Sequence, residues 1–382
     1  KPLVESGFFS ARGACSLDAG EHEFDCGFDV RVGGAGATAW GHGIFAFDDG
    51  GSQAVHTGTQ ACGPAGLVAQ LGGAGHTGCV ANGAGLFVER FATGGGDDAR
   101  STNQDMDNYF DKKQIWLDLG YIDYHPDQIK NLHIIGGKML QPWVNMGDVI
   151  WDSDINPEGL AVTYKYPLGS SAELFGSLGN YNLKDNVDGE GVQFRHDLRL
   201  TAGQLGSRFA ITDNLKLTLG GSVYAYQNDE DSRCTGTSTP CALAVNGNSA
   251  NNEFRLYEGF SQVDIGGLPM PLSFYGQYVK NNDAVTDQDT AWLLGAKSKV
   301  FGFNLDYNYR DVQRNAVVGA FTDSDFANGT TGSRGHKFKV GYDIDKNFAI
   351  GATYFLTKAD FASRTQRDAD ANTLQLDAEA KF

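Results

Sequence analysis

The feature that most constrains this chain is a strict alternation of apolar and polar residues. In residues 374–382 one face carries Leu, Leu, Ala, Ala and Phe, and the other carries Gln, Asp, Glu and Lys. Successive side chains of a β-strand point to opposite faces, so this segment forms a wall with one apolar and one polar side. Its length is close to the roughly 9–11 residues of a tilted strand that crosses a membrane. The alternation therefore favours a strand between lipid and water.

The same alternation recurs from residue 113 onward, where the connections between candidate strands are alternately short and long. This asymmetry is typical of outer-membrane barrels. If the short turns are periplasmic, the last strand ends at Phe382 on the periplasmic side. An even strand number then requires an odd number before residue 113, and three would make about 16 strands in total. The predicted strands are 113–125, 131–142, 158–167, 171–182, 195–211, 214–227, 253–266, 271–282, 288–300, 302–312, 335–344, 347–358 and 372–382.

The N-terminal third, residues 1–84, is atypical because it is rich in glycine and carries cysteines. Residues 85–93 (GLFVERFAT) predict one strand, and residues 28–47 hold one or two more. The Gly- and Ala-rich residues 49–82 form either a long extracellular loop or a segment inside the lumen. We treat 1–382 as a single barrel.

A soluble sandwich also alternates, with its apolar face turned to a core. Two features favour the membrane. The alternating tracts are near ten residues long, against a usual mode of about five or six. Aromatic residues gather near their ends, as at Tyr164, Tyr166, Tyr307 and Tyr309, which suits interfacial girdles. The predicted fold class is an all-β transmembrane antiparallel β-barrel with short periplasmic turns and long extracellular loops.

Composition narrows the function classes further. Lys and Arg number 30 against 47 Asp and Glu, a formal charge of −17, so nucleic acid is not an expected partner. The chain begins at Lys1 without a signal-peptide pattern, as expected of a processed secretory protein and equally of a trimmed chain. The cysteines form three close pairs, and local disulfides in an oxidising compartment are expected over free thiols: Cys15 with Cys26, Cys62 with Cys79, and Cys234 with Cys241.

Three segments resemble the putative porin family of Gram-negative bacteria. They are residues 101–104 (STNQ) with 110–118 (FDKKQIWLD), residues 136–139 (GGKM), and residues 151–160 (WDSDINPEGL). The terminal Phe382 on an alternating strand resembles an outer-membrane assembly signal. The resemblance begins near residue 85, and residues 1–84 depart from it. It implies a barrel channel in the outer-membrane lipid, commonly a homotrimer, and implies no particular solute.

Loop 143–157 is the candidate pore constriction, because in general porins the third long loop folds into the lumen. It carries Asp148, Asp152 and Asp154, and Glu158 begins the next strand. Acids facing bases across a pore would set a transverse field that orients dipolar solutes. The other interpretation is a structural turn with Asp caps and Asn156-Pro157 turn chemistry, and both can hold. The predicted basic wall comprises Lys165, Arg199, Lys216, Arg310, Lys337 and Lys339.

Metal and catalytic motifs are weak. Residues 152–163 fail the EF-hand pattern, which needs Gly and Glu where Pro157 and Thr163 stand. Asp323 and Asp325 are a minor candidate for an ion in a surface loop. The eight histidines show no paired ligand spacing, and no GxSxG elbow occurs. We therefore expect no cofactor, no metal and no enzymatic activity.

The leading hypothesis is a passive diffusion channel for small hydrophilic solutes or ions. One alternative is a structural or adhesive surface protein that uses its long, cysteine-bearing loops, and another is a barrel enzyme. A count near sixteen favours the channel, because about eight strands already fill their own interior with side chains.

Overall fold

Long antiparallel strands make up most of the described chain. The computed structural model describes residues 7–17, 24–34, 77–78, 85–94, 99–101, 114–185, 187–188, 191–192, 197–229, 246–249, 251–360 and 368–381. Within these ranges, no helix is long and apolar enough to cross a membrane. A single 3₁₀ turn, Phe326–Gly329, is described between two of the strands.

Sixteen strands of seven or more residues are described, and we number them in chain order. They are β1 Gly7–Leu17, β2 Phe24–Gly34, β3 Gly85–Gly94, β4 Gln114–Tyr124, β5 Leu132–Lys138, β6 Glu158–Leu168, β7 Ala172–Lys184, β8 Leu198–Thr212, β9 Leu215–Gln227, β10 Arg255–Ile265, β11 Leu272–Asn281, β12 Thr290–Val300, β13 Phe303–Val312, β14 Ser333–Asp343, β15 Phe348–Ala359 and β16 Thr373–Lys381.

Each of the thirteen strands predicted after residue 113 is present, and so is the strand predicted at 85–93. The largest boundary error is at 131–142, because β5 ends at Lys138 and the chain then leaves the wall. In the N-terminal part β2 covers residues 28–34 of the predicted 28–47 region, residues 35–47 lie outside the described residues, and β1 was not predicted. Residues 49–82 lie outside the described residues, apart from Thr77 and Gly78, which pair with β3.

The strands pair in an order that runs without a break from β3 through β16 to β1 and β2. Consecutive strands pair antiparallel, as β8 does with β7 and β9. The last strand pairs with the first, with Phe8 opposite Lys381, so the two ends of the chain lie side by side. The described pairings do not include one between β2 and β3.

The sheet is apolar outside and polar inside, the reverse of a soluble protein. Leu178, Leu205 and Leu294 are each more than 60% exposed. Their polar neighbours on the other face, such as Gln204 and Gln277, are buried. Leucine exposed in this way is unfavourable in water but stable against lipid tails. The alternation predicted from the sequence therefore faces lipid with its apolar side.

This pattern inverts near the edge of the sheet that carries the long connections. There Leu200, Leu256 and Leu293 point inward and are fully buried. Arg255 and Lys280 point outward, and they are exposed and half-exposed respectively. The inward leucines are buried because two long connections fold inside the sheet and pack on them. The outward charges fit a part of the wall that stands in water above the lipid.

Short turns join the strands at the opposite edge. The turn between β12 and β13 consists of Phe301 and Gly302, with φ of 51° and 84°. Two successive left-handed residues match the right-handed twist of a hairpin, and glycine adopts this conformation without steric cost. β16 ends at this edge, opposite the start of β1.

Two of the predicted cysteine partners lie in described strands. Cys15 on β1 and Cys26 on β2 are directly opposite each other in the backbone register, which is the arrangement the predicted pairing requires. The disulfide itself stays a prediction. Cys62, Cys79, Cys234 and Cys241 lie outside the described residues.

Candidate pore constriction

The connection between β5 and β6, residues 139–157, folds inside the sheet, and we call it inner loop A. Met139 donates its backbone N–H to the Pro157 carbonyl at 2.8 Å, which closes the base of the loop. Its apolar side chains point into a buried cluster with the inward leucines of the wall. The buried residues of the loop include Trp143, Met146, Val149, Ile150 and Trp151. Burial of this apolar surface holds the loop inside.

A second connection, residues 313–332 between β13 and β14, also lies inside, and we call it inner loop B. Trp151 of inner loop A stacks on Phe321 of inner loop B, with ring centroids 5.3 Å apart. The backbone N–H of Asp152 donates to the Phe321 carbonyl at 2.7 Å. In return, the Ser324 N–H donates to Asp152 Oδ2 at 2.8 Å. The two inner loops therefore form one packed unit.

Gln204 of β8 joins inner loop A to the wall. Its Nε2 donates to the Val144 carbonyl at 3.0 Å, and the Val144 N–H donates to its Oε1 at 2.7 Å. The side-chain amide thus pairs with one backbone unit as a neighbouring strand would.

Two arginines anchor inner loop B. Arg310 Nη1 of β13 lies 3.0 Å from Asp323 Oδ2, and both side chains are almost fully buried. The Arg310 guanidinium also lies 4.4 Å from the centre of the Phe326 ring. Arg100 donates from Nη1 to the carbonyls of Gly319 and Gly329 at 3.0 and 2.8 Å. These charge-assisted bonds fix the path of the loop.

A cavity of about 290 Å³ remains between the inner loops and the wall from β10 to β16. Its lining is highly charged, with acids mainly on the loops and bases mainly on the wall. The acids are Asp148, Asp152, Asp154, Asp306, Asp323 and Asp325, and the bases are Arg100, Lys297, Arg310, Lys337 and Lys339.

The lysines form a patch on neighbouring strands. Lys297 of β12 and Lys339 of β14 are the register partners on either side of Asp306 of β13. The Lys297 ammonium lies 4.8 Å from the centre of the Tyr275 ring. The Tyr275 hydroxyl donates to Asp306 Oδ1 at 2.6 Å. Lys337, two residues before Lys339, is mostly buried, with its Nζ 3.9 Å from Asp323 Oδ2.

Burial changes the ionisation of the loop acids. It raises the pKa of Asp148, against the attraction of Lys337. Burial also raises the pKa of Asp152 well above its usual range, helped by the negative charges of Asp323 and Asp154. For Asp323 burial acts in the same direction, but the positive charges of Lys337 and Arg310 outweigh it and lower the pKa. The bases therefore hold Asp323 as a carboxylate, whereas Asp148 and Asp152 take up protons more readily.

Six of the predicted site residues meet at this cavity, namely Asp148, Asp152, Asp154, Arg310, Lys337 and Lys339. Four do not line it. Glu158 starts β6 opposite Lys138, and Lys165 lies nearer the short-turn edge of β6. Arg199 lies on the face opposite the buried Leu198 and Leu200, beside Asp197 at 3.3 Å. Lys216 lines a larger cavity of about 640 Å³ near the short turns.

Inner loop A also contains the turn contacts that the sequence predicted for its acidic segment. Asp152 Oδ1 accepts the Asp154 N–H at 3.0 Å, as in an Asx turn. Asn156 Nδ2 donates to Asp118 Oδ1 of β4 at 2.8 Å, which orients the end of inner loop A. Asp152 is thus a structural residue as well as part of the lining.

Sequence reasoning missed several residues of the lining. Asp306 and Lys297 lie on strands that were predicted, and Asp306 shares the polar face of Arg310, so the alternation contained their signal. Arg100 had no signal, because nothing local marks a residue that binds a loop more than 200 positions away. Asp323, which was considered for a surface loop, is instead buried against Arg310.

A solved bacterial porin has a similar fold. No curated protein matches the sequence. The fold is similar to that of the anion-selective porin from Comamonas acidovorans, with 12% identity, a TM-score of 0.53 and 99% of each chain covered. It also aligns with the outer-membrane channel DcaP of Acinetobacter baumannii, with 12% identity, a TM-score of 0.49 and coverage of 99% of this chain and 96% of that one. A triple mutant of the Rhodopseudomonas blastica porin aligns over 99% of each chain, with 8% identity and a TM-score of 0.46.

The family assignment rests on the sequence itself. Residues 84–265 and 272–382 match the putative porin family, which is most of the chain and begins where β3 begins. The match covers both inner loops and all the charged residues of the cavity. An antiparallel sheet with a lipid-compatible exterior and a polar interior is the architecture of outer-membrane channels. The chain therefore belongs to the putative porin family and functions as an outer-membrane porin channel.

Proposed function

We propose that inner loop A and the lysine patch of Lys297, Lys337 and Lys339 form the constriction of this porin. We further propose that the constriction favours small hydrophilic anions. The observation that carries the proposal is the charged cavity between the inner loops and the wall, with three lysines on one side and the loop carboxylates on the other. Fixed charges of opposite sign across a narrow passage create a transverse field that orients dipolar solutes.

The sign of the ion selectivity depends on which charged side chains of the cavity lack a compensating partner. Asp323 is committed to Arg310 at 3.0 Å, so its charge is compensated inside the protein. Burial raises the pKa of the Asp148 and Asp152 carboxyls, so these two groups keep their protons to higher pH than an ordinary aspartate does. When Asp148 and Asp152 hold protons, the remaining four acids of the lining face five bases, so the cavity then carries a net positive charge that favours anions.

The orientation and assembly of the channel belong to the same proposal. The C-terminal strand ends at the short-turn edge, and short turns are the periplasmic side of outer-membrane barrels. We place the C-terminus in the periplasm on this basis, with outer-membrane lipid against the exposed leucines. By analogy with other porins, the proposed assembly is a homotrimer.

The test is ion selectivity of the purified, folded protein in a planar bilayer under a KCl gradient. The expected result is a reversal potential that favours chloride, which falls toward the non-selective value in the double variant Lys297→Gln/Lys339→Gln. The matched control is Lys280→Gln, because Lys280 points outward at the rim and pairs with Asp289 at 2.5 Å. A preference for potassium in the unmodified protein, or an unchanged reversal potential in the double variant, would overturn the proposal. So would the absence of conductance from protein shown to be inserted.

A further inference from the structure

The geometry points to a binding site for a divalent transition-metal cation such as Zn²⁺ formed by Asp123, His125 and His133. One carboxylate oxygen and one ring nitrogen from each histidine lie within 4.8 Å of one another. This cluster lies on the β4–β5 hairpin, near the short-turn edge and away from the charged cavity of the inner loops. It is therefore separate from the proposed constriction.

Two contacts show that the three side chains converge. His133 Nδ1 lies 2.9 Å from Asp123 Oδ2 and 3.1 Å from Oδ1. The ring centres of His125 and His133 are 5.7 Å apart. The carboxylate thus already orients one imidazole, and the second imidazole faces the same point.

His125 has a buried ring nitrogen whose hydrogen-bonding capacity is not satisfied by the described residues. Its Nδ1 atom is buried and makes no hydrogen bond within the described part of the chain. A buried polar atom without a partner costs free energy. A metal ion bound between the three side chains would satisfy it, because a neutral imidazole nitrogen is a good ligand for such ions.

The hairpin explains why these residues meet although their spacing matches no metal motif. Asp123 is the register partner of Ile135, and His133 lies two residues before Ile135 on the same face of β5. Diagonal neighbours of this kind lie about 7–8 Å apart at the backbone, within reach of a histidine. Ile122 and Tyr124 beside Asp123 are exposed on the outer face, so Asp123 and His133 belong to the inner, polar face.

The donor set decides the class of ion. Two imidazole nitrogens and one carboxylate oxygen suit Zn²⁺, and also Cu²⁺ or Ni²⁺, whereas Ca²⁺ and Mg²⁺ prefer oxygen ligands alone. Zinc binds such ligands at about 2.0–2.2 Å in a tetrahedron, with water in the fourth position. A bound ion would add positive charge to the wall near the periplasmic mouth.

The experiment is a calorimetric titration of the full, detergent-folded chain with ZnCl₂, together with the variants His125→Gln and Asp123→Asn. We expect the unmodified protein to bind one more Zn²⁺ than His125→Gln, and Asp123→Asn to bind that ion at least tenfold more weakly. The matched control is His336→Gln, which should bind as the unmodified protein does, because His336 is a single histidine bonded to Tyr307 at 2.9 Å. Circular dichroism establishes that each variant is folded.

An equal number of bound Zn²⁺ in the unmodified protein and in folded His125→Gln would overturn this inference. Zn²⁺ bound at histidines elsewhere in the chain binds equally to both proteins, so it cancels when the two numbers of bound ions are subtracted. Because the titration measures binding and not current, its failure is distinguishable from failure of the proposed anion selectivity.

Discussion

Arg310 Nη1 and Asp323 Oδ2 are 3.0 Å apart, and only 1% and 7% of the two side chains are exposed. This ion pair connects the wall strand β13 to inner loop B, thirteen residues further along the chain. Lys337 of the next strand approaches the same carboxylate at 3.9 Å. Asp323 is therefore the main counter-charge of the buried Arg310, which makes the position of inner loop B sensitive to this residue.

We predict that Asp323→Asn destabilises the folded protein by about 3–5 kcal/mol, because it leaves the Arg310 charge buried without its partner. The free energy of unfolding is measured by urea denaturation of the protein in lipid vesicles. The control is Asp368→Asn, which removes an ion pair with Arg334 at 2.5 Å between half-exposed side chains. Exposed pairs contribute no more than about 1 kcal/mol. Equal losses in the two variants would show that the buried pair has no special role.

The ion selectivity should depend on pH above the usual carboxyl range. Burial raises the pKa of Asp148 and of Asp152, so these groups still hold protons at pH values where an ordinary aspartate is fully ionised. As the pH rises through their raised pKa they ionise, and the cavity becomes more negative. The anion preference should therefore fall as pH rises and grow as it falls. Reversal potentials measured across this range should be flatter in Asp148→Asn. A steeper dependence in that variant would contradict the assignment.

Gln204→Ala should loosen inner loop A. It leaves the Val144 N–H and carbonyl without their side-chain partner at 2.7 and 3.0 Å, and an unsatisfied buried polar group costs about 1–3 kcal/mol. We expect lower stability and more frequent fluctuations of the single-channel current. Gln227→Ala is the control, since Gln227 is exposed on the outer face of β9 and makes one long contact with Thr201 at 3.5 Å. A current as quiet as that of the control would show that Gln204 does not hold the loop.

Gly137 lies just before inner loop A and has a φ of +120°. A Cβ atom there would overlap the Gly120 carbonyl oxygen and lie 2.9 Å from Tyr121 Cα, both backbone atoms of β4. Backbone strain of this kind costs about 1–3 kcal/mol, so Gly137→Ala should unfold at lower urea concentration. Gly259→Ala is matched to it, because an added Cβ there meets nothing within 4 Å. If both variants unfold alike, the close approach of β4 and β5 is not required.

The sequence predicted the wall of this protein well because a strand that separates lipid from water must alternate at every step. The thirteen strands predicted from residue 113 onward follow that rule. The prediction fails where the chain leaves the wall or where the inner loops replace water as the neighbour of the inner face. The prediction of 131–142 extended four residues past Lys138, because Met139 and Leu140 are as apolar as wall residues although they begin inner loop A. Near the long-connection edge the apolar residues point inward, and Arg199, which lies on a polar face in the sequence pattern, therefore points away from the interior.

The site was only partly predictable for a different reason. Asp148, Asp152 and Asp154 were found because the loop is acidic and occupies the third long connection. Arg100 was not, because its role depends on carbonyl groups of inner loop B that are distant in sequence. The histidine cluster was missed because its ligands are neighbours only through the register of a hairpin. Periodicity predicts which face a side chain occupies, and it does not predict which loop will lie against that face.

The inward leucines at the long-loop edge have a consequence for how the molecule assembles. Leu200, Leu256 and Leu293 are buried only while inner loops A and B are docked. A barrel whose loops had not yet docked would expose a ring of apolar side chains to the water inside it. Wall and loops are therefore parts of one cooperative folding unit. Deletion of inner loop A would therefore expose apolar side chains inside the sheet, which favour aggregation, and would not simply widen the pore.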